Sequence, residues 1–144
     1  MKFMLYTAEC RGNEKNTVYP YACSISSAIE FQDAIAFDHV AAEYKNGRRS
    51  VGNFIGADVL VMDCDNDHSD VPAEWITPEK LDALLPGVNY VLAFSRHDGL
   101  VKDGKSPRPR FHVYFPHEAI LDADEYAGLK RAIQARFSFF DANA

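Results

Sequence analysis

The chain has 144 residues, 47% of them hydrophobic and 25% charged, with a net charge of −6. That is the make-up of one soluble globular domain, able to bury roughly two thirds of its unfolded surface, and no apolar run nears the roughly 20 residues of a membrane span. Met1-Lys2-Phe3-Met4-Leu5-Tyr6 meets Glu9 and Arg11 too soon for a signal peptide, and three cysteines without C-x-x-C spacing point to a reducing cytoplasm rather than a disulfide framework or zinc knuckle.

In chain order, Lys2 to Ala8 reads as a strand, and Thr17-Val18-Tyr19 as an extended piece that Pro20 breaks. Ser27 with Glu30 three residues on has the form of a capping box. The helix it starts would bury Ile29, Phe31, Ile35, Val40 and Tyr44 and stop at Gly47. Lys45, Arg48 and Arg49 then precede the most informative stretch, Asp58-Val59-Leu60-Val61-Met62-Asp63-Cys64-Asp65-Asn66-Asp67.

Its apolar run predicts a buried central strand. Side chains on a strand repeat every two residues, so Asp63 and Asp65 share a face. Two carboxylates that close repel unless a cation sits between them, and a hard divalent ion with oxygen ligands, Mg²⁺ or Mn²⁺, is the natural partner. A plain solvated turn would carry the same residues. A calcium loop would place Asp63, Asp65, Asp67, Ser69 and Glu74 at its positions 1, 3, 5, 7 and 12, but His68 takes the place of the glycine that motif needs, and Pro72 interrupts it.

Thr77-Pro78-Glu79 starts a short helix with Leu81, Leu84 and Leu85 inward, ended by Pro86-Gly87. Tyr90 to Phe94 is a second apolar strand, closing in Ser95-Arg96-His97. From Arg96 to Arg110 five cations (Arg96, Lys102, Lys105, Arg108, Arg110) face two anions (Asp98, Asp103), a local +3 within an acidic chain. Arg110 to Phe115 alternates cleanly: Phe111, Val113 and Phe115 belong to the core, while Arg110, His112 and Tyr114 would form the floor of a site. Asp122 with Glu125 caps a longer helix with Tyr126, Leu129, Ile133 and Phe137 on its inner stripe, and Phe139-Phe140-Asp141 begins another strand.

From Asp58 the order is strand, helix, strand, strand, helix, strand. The expected fold class is therefore α+β: an RRM-like or ferredoxin-like β-α-β-β-α-β core over residues 56–144, its last strand cut short, behind an N-terminal α/β extension over residues 1–55 of the same single domain.

Taken together, Asn16-Thr17-Val18-Tyr19-Pro20, Arg49-Ser50 with Asn53-Phe54, Met62-Asp63-Cys64-Asp65-Asn66-Asp67, Trp75-Ile76-Thr77-Pro78-Glu79, Phe94-Ser95-Arg96, Arg108-Pro109-Arg110-Phe111-His112-Val113-Tyr114-Phe115-Pro116 and Phe140-Asp141 resemble the catalytic domain of archaeo-eukaryotic-type primases, especially those of phages and integrative elements. The resemblance implies template-dependent nucleotidyl transfer by a DNA primase or primase-polymerase. Asp63, Asp65 and Asp141 would hold two Mg²⁺ or Mn²⁺ ions, and His112 would contact the phosphates of a nucleoside triphosphate. Arg110 stands where the family usually has Ser, and Ser95, Arg96, Lys105 and Arg108 are further candidates for the triphosphate or template. The implied partners are a single-stranded DNA template and a replicative helicase module, on this chain or another. Two rival readings stay open: a metal-dependent nuclease or phosphodiesterase using the same carboxylates, and a truncated, inactive domain that binds single strands.

Overall fold

A computed structural model describes residues 1–142. Over the described residues the protein is α+β, with two sheets and three α-helices. Seven strands run in the order β1 (Phe3–Thr7), β2 (Tyr21–Ile25), β3 (His39–Val40), β4 (Ala42–Tyr44), β5 (Phe54–Cys64), β6 (Val91–Phe94) and β7 (Phe111–Ile120). The helices are α1 (Ala28–Ile35), α2 (Pro78–Leu84) and α3 (Ala123–Arg136). One sheet has the order β2-β1-β3 and the other β4-β5-β7-β6. Two compact units share the chain, Met1–Leu60 with Pro116–Leu129, and Val61–Phe115 with Lys130–Ala144. The units part within β5, β7 and α3.

In the first unit β1 alternates as an amphipathic strand should, burying Phe3, Leu5 and Thr7. It pairs antiparallel with β2 and β3. The capping box forms: Ser27 Oγ accepts from Glu30 N at 3.2 Å, and Glu30 Oε1 accepts from Ser26 N at 3.1 Å. Phe31 of α1 then packs edge-on against Phe3, ring centroids 6.2 Å apart. The helix expected to run on to Tyr44 ends at Ile35. Asp38 is the cause: its backbone exchanges hydrogen bonds with Ala8 and Cys10, and its carboxylate accepts from Gly12 N and Asn13 N at 2.6 and 2.8 Å. Those bonds tie Asp38 to the loop after β1, and Val40 and Tyr44 fall on strands rather than on a helical stripe.

The second unit holds the end of β5, α2, β6 and the first half of β7. Thr77 caps α2 from its side chain, with Pro78 as the first helical residue. Strand β7 pairs antiparallel with β6, His112 opposite Ala93. Phe111 and Val113 are fully buried as expected, and so are Tyr114 and, just before the strand, Arg110, which were expected on the floor of a site. The strand expected at 139–141 is not formed among the described residues. Phe140 turns inward instead, its ring 6.0 Å from Phe115 and 4.6 Å from Phe139, and Asp141 N donates to Asp63 O at 2.9 Å. No helix among the described residues is long and apolar enough to cross a membrane.

Candidate functional site

The site lies within the second unit, where β5 ends. Cys64 is fully buried, so its neighbours Asp63 and Asp65 emerge together on the other face. Asn66 then adopts a left-handed conformation, φ 56°, which asparagine tolerates better than most residues. Its buried amide donates to Ile76 O at 2.9 Å and Pro109 O at 2.8 Å, and accepts from Ile76 N at 2.7 Å. One residue thus fixes the exit of β5 to two other segments, which orients the carboxylates beside it.

His112, on β7, is hydrogen-bonded through Nδ1 to Asp63 Oδ1. Burial alone would raise the Asp63 carboxyl, but the hydrogen bond and charge of His112 outweigh it and hold the group below its ordinary range. Burial would lower the His112 imidazole, and Asp63 outweighs that and raises it. The pair therefore favours the imidazolium–carboxylate form.

Lys102 donates to Asp65 Oδ2 at 2.9 Å, and Lys105 pairs with Asp67 Oδ1 at 3.4 Å. Turn chemistry explains why both arrive together. Asp103 and Gly104 have φ 52° and 74°, the positive values of a tight two-residue hairpin turn. Lys102 and Lys105 face each other across it in an antiparallel bridge and so point the same way. Lys105 was expected at the site; Lys102 and Asp67 were missed, and the Asp103-Gly104 signature was the signal that could have brought Lys102 in with Lys105.

Asp141 joins the cluster. Its carboxyl is pushed up to about 6, first by burial and then by the charges of Asp65, Asp63 and Asp67, while a hydrogen bond from the Asp65 backbone partly offsets them. Tyr114 also feels this field: burial and then Asp63 raise its hydroxyl. Asp63, Asp65 and Asp141 are hard oxygen donors in electrostatic contact, which suits Mg²⁺ or Mn²⁺. Among the described residues no three such groups are gathered about one point, because His112 and Lys102 now draw Asp63 and Asp65 to themselves.

The remaining candidates separate. Arg108 is buried and serves the loops: its guanidinium donates to Asn66 O and Ser69 O at 2.9 Å, to Asp70 Oδ1 at 2.9 Å and to both oxygens of Ser106, and lies over the Trp75 ring. Those donors are already engaged, so the expected phosphate contact gives way to a brace. Ser95 N donates to Arg110 O at 2.9 Å and Ser95 Oγ accepts from His97 N, closing the turn after β6, with Arg96 exposed beside it. Arg110 differs from every other cation here. It is fully buried, and none of its three guanidinium nitrogens has a hydrogen-bond partner among the described residues. No protein-family model, curated protein or solved structure matches this chain.

Proposed function

We propose that this chain carries a two-metal nucleotidyl-transfer site of the primase or primase-polymerase kind, on an RRM-like core. The observation that carries the reading is that Asp63, Asp65 and Asp141 come together, Asp141 hydrogen-bonded to the backbone of Asp63, beside the cations His112, Lys102, Lys105 and Arg110. The neighbour order β5-β7-β6, with α2 between β5 and β6 and α3 after β7 in sequence, is compatible with such a core. The three carboxylates would hold the divalent ions, which supply Lewis-acid activation of a 3′-hydroxyl and neutralise the departing pyrophosphate. His112, donating from a raised imidazole, would orient the phosphates, and the lysines would neutralise their charge. A single-stranded DNA template would follow the basic segment 96–110, with salt-sensitive affinity, and a helicase module would supply the unwound strand.

The test is calorimetric titration of a nucleoside triphosphate with Mn²⁺ into the wild type, Asp63→Asn and His112→Ala. Metal-dependent binding weakened about tenfold or more in both variants is expected, since each removes a charged partner of the ligand. Binding untouched by either substitution would put the triphosphate elsewhere and overturn the assignment. Release of pyrophosphate, rather than cleavage of a polynucleotide, separates nucleotidyl transfer from the nuclease reading of the same carboxylates.

A further inference from the structure

A buried guanidinium with no hydrogen-bond partner is an unusual object. Buried charges are normally paired, and an uncompensated one strongly destabilises the fold that holds it. Arg110 has no such pairing among the described residues, although Asp98 is close enough to accept from its backbone N at 3.0 Å. Arg110 immediately precedes β7, two residues before His112, and its positive charge opposes that of Lys102. Lys102 in turn is held by Asp65. Two cations that repel each other, one without an acceptor and one held by a single, largely buried carboxylate, are the recognition elements for a multiply charged anion.

We infer that Arg110 and Lys102 form a seat for the polyphosphate chain that fills without a divalent ion, and that filling it draws Lys102 from Asp65 and so frees that carboxylate for the metal. This rests on the nucleotidyl-transfer reading and adds an order and a coupling to it. Lys102 occupies Asp65 in the unliganded protein, so it competes with a metal ion arriving alone. A phosphate oxygen seated on Arg110 offers Lys102 a second partner, and the metal then meets less competition. Linkage makes the effect reciprocal: anion and metal each strengthen the other through one side chain. Lys105, on Asp67 across the same tight turn, moves with it.

The experiment uses two probes separately. Inorganic tripolyphosphate is titrated calorimetrically in excess EDTA, and Mn²⁺ is titrated alone in chloride buffer, into the wild type, Arg110→Met and Lys102→Met. The wild type should bind tripolyphosphate without metal, and Arg110→Met should weaken that binding by about tenfold or more. Thermal melting checks that Arg110→Met folds, and its midpoint should not fall, because an unpaired buried charge has been replaced by an apolar chain of similar length. Lys102→Met should change the two affinities in opposite directions, several-fold weaker for tripolyphosphate and several-fold tighter for Mn²⁺. A merely structural lysine would not produce that split. No anion binding by the wild type in EDTA, or Mn²⁺ affinity unchanged or weakened in Lys102→Met, overturns the inference. Either result can occur while metal-dependent nucleotide binding is still lost in Asp63→Asn, so the exchange and the catalytic reading fail separately.

Discussion

Arg108→Ala is expected to lower stability by about 3 kcal/mol, the scale seen when a buried hydrogen-bond network is broken and a cavity is opened; the ion pair to the exposed Asp70 adds little. Its guanidinium makes five hydrogen bonds, to Asn66 O, Ser69 O, Asp70 and twice to Ser106, and lies over Trp75. Truncation leaves the buried Asn66 carbonyl without its donor and opens a void beside the indole. For a chain of this length the melting midpoint should fall by about 10 °C. Arg108→Lys should recover little, because a single ammonium cannot reproduce a planar fork that serves five acceptors on two loops. Urea unfolding of the three proteins measures this directly. A loss under about 1 kcal/mol would show that water replaces the guanidinium and that the loops hold without it. Mn²⁺ and nucleotide affinity of the folded fraction should weaken as well, since Asn66 sits between Asp65 and Asp67 and Arg108 holds its carbonyl.

The two arginines mark how far the sequence could be read. Arg108 and Arg110 stand two apart in one basic segment, and composition treats them alike. Their difference comes from what folds against them: five acceptors for one and none for the other. Local chemistry was legible wherever a short-range rule governs. The caps at Ser27, Thr77 and Asp122 form as their spacing predicts, and Asp63 and Asp65 flank the fully buried Cys64 at the end of β5, as strand alternation predicts. The reading failed where a distant residue decides. Helical spacing from Ile29 to Tyr44 suggested one buried stripe, but Ile29 is exposed, the helix ends at Ile35, and Asp38 is hydrogen-bonded to the loop after β1. The alternation of β7 was genuine, yet it could not reveal that both faces would be covered.

Asp141→Asn is expected to act in opposite directions on stability and on ligand binding. With its carboxyl pushed up to about 6, the folded metal-free protein keeps a proton there that the unfolded chain releases near its ordinary value of 3.8. The folded state binds the extra proton between those values, so stability falls as pH rises through that window and the ionised group is a net cost above it. Partial exposure screens the effect to about 1 kcal/mol, so at pH 7 the variant should melt about 2–4 °C above the wild type and at pH 4 no higher. The Asp63–His112 pair bounds the same range. The lowered Asp63 contributes stability above the ordinary carboxylate range that is lost as pH falls through its folded value. The raised His112 contributes stability below about 6.5 that is lost as pH rises through its folded value. Without metal, the optimum should therefore sit on the acid side of neutrality. Mn²⁺ reverses the balance, because a cation bound at the ionised carboxylate turns repulsion into attraction and stabilises by mass action. Wild type should gain in melting midpoint with Mn²⁺ at pH 7 and the variant little, while metal-dependent nucleotide binding falls about 100-fold in the variant. A variant that melts no higher at pH 7 would mean Asp141 is not repelled by its neighbours. One that keeps metal-dependent binding would remove Asp141 from the ligand set and leave Asp63 and Asp65 to hold the ion with water.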